Sequence, residues 1–391
     1  MFALPVSAMR TWFVEAGSAA WTEALSDLRH DVYHLPEYQL FAARWHYSGQ
    51  PLLFVAQDAE NRFVLPLIVR ELPAKIDPSG ELRDAISSRF FPGPLVKAGA
   101  VRDLEEFARR AIDALILGLA SRGIVSAFVR VHPLLLPPLP ALETYGSVMI
   151  IGDAVPIDLT LTDTEFWQQT RHNHRRDINK ARRLGFEVRQ DETWNSLEAF
   201  TEIYCETMTH VNAADIWRLP PIYFRDLRDA LGEHVHLLVA ELDGELAAGA
   251  ILTEADGIVE YHLAATADRY RHLHPSKLLI NEATRWARAR GNRVLNLAGS
   301  VRRGDSLNHF KLGFSPIQRP MYAWRLVADP HIYAALVEIW ESLCGAASDP
   351  DDPMFPAYRR PMPSDAPASP DIAPARSPIP TRTTIPFNRL L

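Results

Sequence analysis

Residues 171–183 read RHNHRRDINKARR, and six of the thirteen are Arg or Lys: Arg171, Arg175, Arg176, Lys180, Arg182 and Arg183. Only Asp177 opposes them, in a chain whose formal net charge is −7. On a helix, Arg171 and Arg175 are i, i+4 neighbours, as are Arg176 and Lys180, so two rows of charge line one side. Ile178, Ala181 and Leu184 would then face a core. Like charges at this spacing repel, and a phosphate-rich ligand would offset the cost through charge-assisted hydrogen bonds. A solvated helix face is the plainer alternative.

Three His-x-His pairs raise metal chemistry: His172/His174, His234/His236 and His272/His274. The first is flanked by Arg, which repels a cation. The second falls in a strand with no acidic or Cys partner adjacent in sequence. The third lies in a loop. No metal site is expected from them. The chain contains no G-x-S-x-G, Walker loop or G-x-G-x-x-G that opens a helix, so serine hydrolase, P-loop and dinucleotide-binding readings fall away. The net acidity excludes wholesale coating of DNA.

Elements must hold these residues in place. "HVHLLVAEL", "ELAAGAILTE" and "IVEYHLAAT" are joined by Asp243-Gly244 and Asp256-Gly257. Asp-Gly turns require φ > 0 at both positions and predict an antiparallel three-strand meander. Pro275 then opens a helix in which Leu278, Leu279, Ala283, Trp286 and Ala287 recur at helical spacing, and Gly291 ends it. "NRVLNLAG" reads as a buried strand. The first half repeats this order: a hairpin turning at Asn61, a helix over "EEFARRAIDALILGLASRG" closed by Gly123, then the strand "IVSAFVRVHP". A duplicated α/β domain is the inference, with the basic helix at the seam.

The remaining composition sets the frame. At 391 residues two domains are expected. Cys205 and Cys344 suggest neither a metal site nor a disulfide framework, and a reducing compartment is the simpler reading. The N-terminus lacks a signal-peptide pattern. The most apolar helical stretch is interrupted by Asp113 and spans about half the ~20 residues that a membrane crossing needs. A soluble, cytoplasmic protein is expected. From Asp349 onward stand eleven of the 30 prolines, a composition that reads as disorder.

"PSKLLINEATRWARARGNRVLNLAGS" and "DSLNHFKLGF", together with the basic helix, resemble the FemAB-like branch of the GNAT acyltransferases. "FVRVHPLL" and "SSRFFPGPLV" are similar to that family's N-terminal domain. The resemblance spans roughly residues 28–340. It implies an α+β (α/β) fold of two tandem GNAT-like domains with mixed, largely antiparallel sheets. The first domain is expected over 1–150 and the second over 151–345, with 317–345 returning to the first. A Pro-rich disordered tail is expected over 346–391.

The implied function is N-acyl or aminoacyl transfer to an amine of a cell-envelope precursor or small metabolite. No cofactor would be permanently bound, and acyl-CoA or aminoacyl-tRNA would serve as co-substrate. tRNA is therefore a candidate partner, DNA is not, and membrane contact would be peripheral at most. The rival is a catalytically silent tandem GNAT module that holds RNA on the basic helix.

Such transfer passes through a tetrahedral oxyanion, which a fixed positive charge stabilises. The resemblance implies this role for Lys311, held between Phe310 and Phe314. By spacing alone Lys311 is equally a lysine whose stem covers a core strand. GNAT active sites open along the strand that carries Tyr261 and His262, and either is placed to relay a proton or to pack in the core. Substrate or donor binding is implied for Arg171, Arg175, Arg176, Lys180, Ser276, Lys277, Gly299 and Asn308. Two departures stand out. The turn before the central helix, "RYRHLHPSK", has no glycine, and Asn308 stands where relatives often carry an aromatic.

Overall fold

The computed structural model describes residues 8–100, 103–299, 304–345, 347 and 354–362. Its strands are β1 (Arg10–Glu15), β2 (Gln50–Gln57), β3 (Arg62–Glu71), β4 (Arg83–Ile86), β5 (Leu95–Lys97), β6 (Ile124–Val131) and β7 (Gly146–Ala154). They continue with β8 (Pro156–Asp158), β9 (Glu187–Gln190), β10 (Val235–Leu242), β11 (Glu245–Ala255), β12 (Ile258–Thr266), β13 (Val294–Asn296) and β14 (Arg319–Val327). They form two sheets. The first runs β1-β2-β3-β4-β6-β14-β7, with β5 also paired to β3, and the second runs β8-β13-β12-β11-β10-β9. Each sheet contains one parallel pair, β4 with β6 and β12 with β13, and the other pairings are antiparallel. Both sheets are thus mixed and largely antiparallel, as expected from the sequence.

The turn chemistry follows the sequence. Asp243 and Gly244 take φ of 52° and 80°, and Asp256 and Gly257 take 43° and 77°, as the two tight hairpins require. The central helix Pro275–Ala289 buries Leu278, Leu279, Ala283 and Ala287 against one face of the second sheet. Trp286 is only half-buried, because its indole reaches out to donate to Gln190 Oε1 at 2.7 Å. The basic helix His172–Arg183 lies beside it and buries Ile178 and Ala181. Leu184, expected in the core, is 44% exposed. The helix ends one residue earlier, and Gly185 at φ 89° redirects the chain so that Phe186 takes the core place.

The helix Leu104–Ala120 covers one face of the first sheet. The opposite face of each sheet contributes to a shared core: Tyr33, Tyr38, Phe41 and Val55 from the first half meet Phe200, Tyr204, Tyr223 and Ile251 from the second. After the second domain the chain returns, and β14 pairs with β6 and β7 in the first sheet.

One sequence expectation needs correction. The reading of everything after residue 345 as unstructured fails at 354–362. There Tyr358 and Met362 are buried with Leu336 and Trp340, Tyr358 shares a 2.8 Å hydrogen bond with Ser126, and Arg359 pairs with Asp84. A few large anchors outweigh a proline-rich composition. Residues 363–391 lie outside the described residues.

Candidate active site

β12 and β13 pair over only three residues, Ile258–Glu260 with Val294–Asn296. Beyond that point they part, for two local reasons. In β12 the register skips His262, since Tyr261 faces Leu252 and Leu263 faces Ile251. Such a bulge bends and twists its strand. In the other arm Ala298 takes φ 56°, which turns the chain away after β13. The gap holds a cavity of about 130 Å³, lined by Tyr261, Thr266, Ser276, Ile280, Phe310 and Lys311 among others. Four residues singled out in the sequence therefore meet in one place: Tyr261 from β12, Ser276 from the first turn of the central helix, and Phe310 and Lys311 from the short helix Ser306–Lys311.

Lys311 Nζ donates to the Gly299 carbonyl, and burial pushes its pKa down to about 8 against the raising influence of Asp305 and Glu260. Burial alone raises the Tyr261 phenol, which stays protonated. The Phe-Lys-x-x-Phe turn is fixed by the basic helix: His174 Nε2 bonds the Phe310 carbonyl at 2.9 Å and Arg171 N–H bonds the Gly313 carbonyl at 2.8 Å. A Cβ on Gly313 would stand 2.2 Å from His174 Nε2, so the ring keeps this position only while residue 313 has no side chain.

The other predicted residues sort by place. Arg171 also bonds the His309 carbonyl at 3.2 Å. Lys277 is buried and donates to Asp177 Oδ2 at 2.6 Å, tying the central helix to the basic one, so its charge is already matched. Asn308 is buried, with Oδ1 accepting from Gln318 at 3.2 Å. Gly299 presents its carbonyl to Lys311 and packs against Met321. Arg175 and Lys180 form no ion pair among the described residues, and Arg176 pairs only with the adjacent Asp177. His274 stands at the N-cap position of the central helix without a side-chain capping bond, and Lys277, Asp177, Lys180 and Arg176 all act on it electrostatically.

The second His-x-His pair has the acidic partner that the sequence did not reveal. His236 Nε2 lies 3.1 Å from Glu254 Oε2, and Asn292 and Arg290 also donate to Glu254. With their help its carboxyl sits at about 2 despite the opposing effect of burial.

His262 lies across the strand from Tyr261 and faces the first domain, where Tyr33 Oη is 3.0 Å from its Nδ1 and Phe90 packs 4.4 Å away. Burial, helped by the charge of Arg89, lowers its pKa to about 3. It is neutral near pH 7 and a poor proton acceptor.

Beside it stands a cluster that sequence reasoning missed. Asp31, His132 and Glu260 are all buried, with His132 Nε2 3.0 Å from Asp31 Oδ2 and 3.8 Å from Glu260 Oε1. Their ligand atoms are close enough to hold a cation. The tautomer argues otherwise. Leu134 N–H donates to His132 Nδ1 at 3.1 Å, so the ring proton sits on Nε2 and points at Asp31. Burial and the adjacent Asp31 push the Glu260 carboxyl well above the usual range, while Asn296 donates to both its oxygens at 2.9 and 3.0 Å. The cluster is a buried polar link between the two halves. Its one sequence signal was an acid at an inward-facing position of "IVEYHLAAT".

Residues 168–311 match the family model of an acetyltransferase (GNAT) domain. Among solved structures, FemX superposes with a TM-score of 0.62 at 12% identity, over 84% of this chain and all of its own. The L-PGS structure from Bacillus licheniformis does so at 0.53 and 12%, over 83% and 96%. A conserved protein of unknown function from Bacteroides thetaiotaomicron gives 0.53 and 11%, over 81% and 99%. No curated protein matches significantly by sequence.

Residues 168–311 therefore carry a GNAT-type domain, and the chain as a whole shares the fold of FemX. No helix among the described residues is long and apolar enough to cross a membrane.

Proposed function

We propose that the second domain transfers an acyl group from acyl-CoA to an amine, with the acceptor a cell-envelope precursor or small metabolite. The observation that carries this is the slot itself: two strands that pair for three residues, part at a bulge, and leave a cavity closed by Lys311. Among the described residues β12 beyond Glu260 has no partner on the β13 side, so its backbone is available to an extended donor arm.

The donor's phosphates would meet the N-terminus of the central helix, where free N–H groups and the helix dipole favour an anion. GNAT relatives use glycine there to bring the backbone close. This chain has none, and Arg176 and Lys180 from the basic helix supply charge to the same corner instead.

In the reaction the neutral amine attacks the thioester carbonyl, forming the C–N bond and an oxyanion. The Lys311 ammonium stabilises that oxyanion. Collapse breaks the C–S bond, and the leaving thiolate takes a proton from the Tyr261 phenol, which is restored by the proton shed from the amine.

The test is thiol release from acetyl-CoA with a panel of primary amines, alongside the thermal shift that acetyl-CoA produces. Amine-dependent thiol release that vanishes in Lys311→Ala is expected. Transfer from charged tRNA but not from acyl-CoA would remove the donor assignment, and binding of RNA with no turnover from any donor would favour the silent module.

A further inference from the structure

Residues 87–93 leave β4 and cross the face of the first domain that meets β12. Arg89 in this segment is 2% exposed. A guanidinium stays charged, and burying one without a carboxylate is costly. Yet among the described residues Arg89 forms no ion pair. Its Nη1 donates to the Ile216 carbonyl at 3.2 Å, and its plane lies 4.7 Å from the Trp217 ring. The other guanidinium N–H groups have no acceptor among the described residues. One buried positive charge is left without its counterpart.

A second, independent observation comes from β12. Among the described residues the Tyr33 hydroxyl has one hydrogen-bond partner, His262 Nδ1, at 3.0 Å. With Tyr33 donating, the ring proton of His262 lies on Nε2, and that atom is buried with no partner. The ring sits 4.4 Å from Phe90, the residue next to Arg89. Phe90 is held at φ 73°, stacked on Tyr33 at 5.0 Å and edge-on to Trp217 at 6.4 Å. The fully buried Tyr204 hydroxyl is also without a partner and lies within reach of the Arg89 charge. Unused donors from both halves of the molecule thus lie about one cluster of aromatic rings.

We propose that Arg89 and His262 form an anchor for a carboxylate carried by the acceptor. A single uncompensated charge calls for a monoanion. The guanidinium fork matches a planar carboxylate with two parallel N–H···O bonds, and the His262 Nε2–H supplies a third donor. Tyr33, Phe90 and Trp217 would flank the carbon skeleton. His262 sits on the opposite face of the bulge from Tyr261, so an acceptor held there enters the slot from the side away from the donor. Only the assignment of this ligand as the acceptor rests on the proposed reaction; the anion site stands on the buried charge.

The test is therefore one of binding. The full chain, labelled with 15N-histidine, is titrated with phenylacetate and, separately, with inorganic phosphate, while acetyl-CoA binding is followed by thermal shift. Phenylacetate is expected to raise the melting temperature and move the His262 Nε2 resonance, assigned by its loss in His262→Gln. Arg89→Gln should weaken phenylacetate binding by about 10- to 100-fold, as expected for losing a hydrogen-bonded charge. Arg89→Lys, which keeps the charge but not the fork, should recover only part, and acetyl-CoA binding should persist in both variants. No response to phenylacetate, a response to phosphate alone, or phenylacetate binding unchanged in a folded Arg89→Gln or Arg89→Lys protein would overturn the assignment. Loss of acetyl-CoA binding in wild type would count against the proposed reaction instead.

Discussion

The two domains carry the same parallel strand pair and treat it in opposite ways. In the second, β12 and β13 separate after three residues and a cavity opens. In the first, the chain leaving β4 stays pressed against β6: Ser87 N–H bonds the Phe128 carbonyl at 2.8 Å, and Ser87 Oγ accepts from Arg130 N–H at 2.9 Å. Gly93 lies so close that a Cβ would be 2.7 Å from Val131 Cα. The equivalent slot is filled with backbone. β14 then occupies the far side of β6. The two halves share this frame, and the slot is open only where the third strand of the meander is long and bulged. The segment that fills the first slot also brings Arg89 and Phe90 to the face opposite His262.

The largest expected effect separates the two slots directly. Lys311→Ala should lower turnover by about 10²–10³-fold with the fold intact, the usual loss when one oxyanion donor is removed. No residue filling the first slot should contribute to the chemical step in this way. Wild-type turnover in Lys311→Ala, measured at saturating donor and acceptor, would leave Lys311 a structural residue.

The converse holds for the closed slot. Ser87→Ala strands the buried Arg130 N–H, which should cost about 1–3 kcal/mol of stability. Gly93→Ala drives a methyl into backbone that cannot yield, an overpacking cost of about 1–3 kcal/mol or more. In the second domain Gly313→Ala meets only the His174 ring, which can swing aside, so it should lower the melting temperature less than Gly93→Ala. Denaturant melts of the three variants check the order. An equal or greater loss from Gly313→Ala would mean that the open slot is as rigid as the closed one.

pH provides a smaller but two-sided test. Burial lowers Lys311 from 10.5 to about 8. As pH rises through about 8 the ammonium is lost, and kcat should fall. Stability moves the other way. Between about 8 and 10.5 the unfolded chain binds the proton that the folded chain has released, so stability should rise across this window. Lys311→Ala should remove that gain. A kcat that stays level from pH 7 to 9 would show that the reaction does not use the charged form.

Much of the frame was legible because it is written locally. Asp243-Gly244 and Asp256-Gly257 dictate their turns, Pro275 and Gly291 bracket the central helix, and Phe310-Lys311-x-x-Phe314 marks the turn beside the cavity. What escaped was made by distance in sequence. β4 has four residues and offers no periodicity to detect. Asp31, His132 and Glu260 are separated by about a hundred residues each and acquire meaning only where the two halves touch. Arg89 looked like an ordinary charge in "SSRFFPG", and its burial without a carboxylate is a tertiary fact. His262 was read with Tyr261 as one site, although strand alternation puts neighbouring side chains on opposite faces.

The smallest expected effect concerns the basic helix, which has no counterpart in the first domain. Arg182 and Arg171 are committed to partners within the fold, whereas Arg176 and Lys180 are exposed beside the start of the central helix. If they hold the donor's phosphates, the contact is the same in ground and transition states. Arg176→Ala combined with Lys180→Ala should then raise the donor KM and leave kcat nearly unchanged. Each exposed contact is worth about 0.2–1 kcal/mol, so the double variant should raise KM by roughly two- to thirtyfold, and added salt should narrow its difference from wild type because such contacts are screened. Stability should move by no more than about 0.5 kcal/mol, as for surface substitutions generally. A KM and salt dependence identical to wild type would show the rows of charge to be a solvated face, and the donor's phosphates would then rest on the helix N-terminus alone.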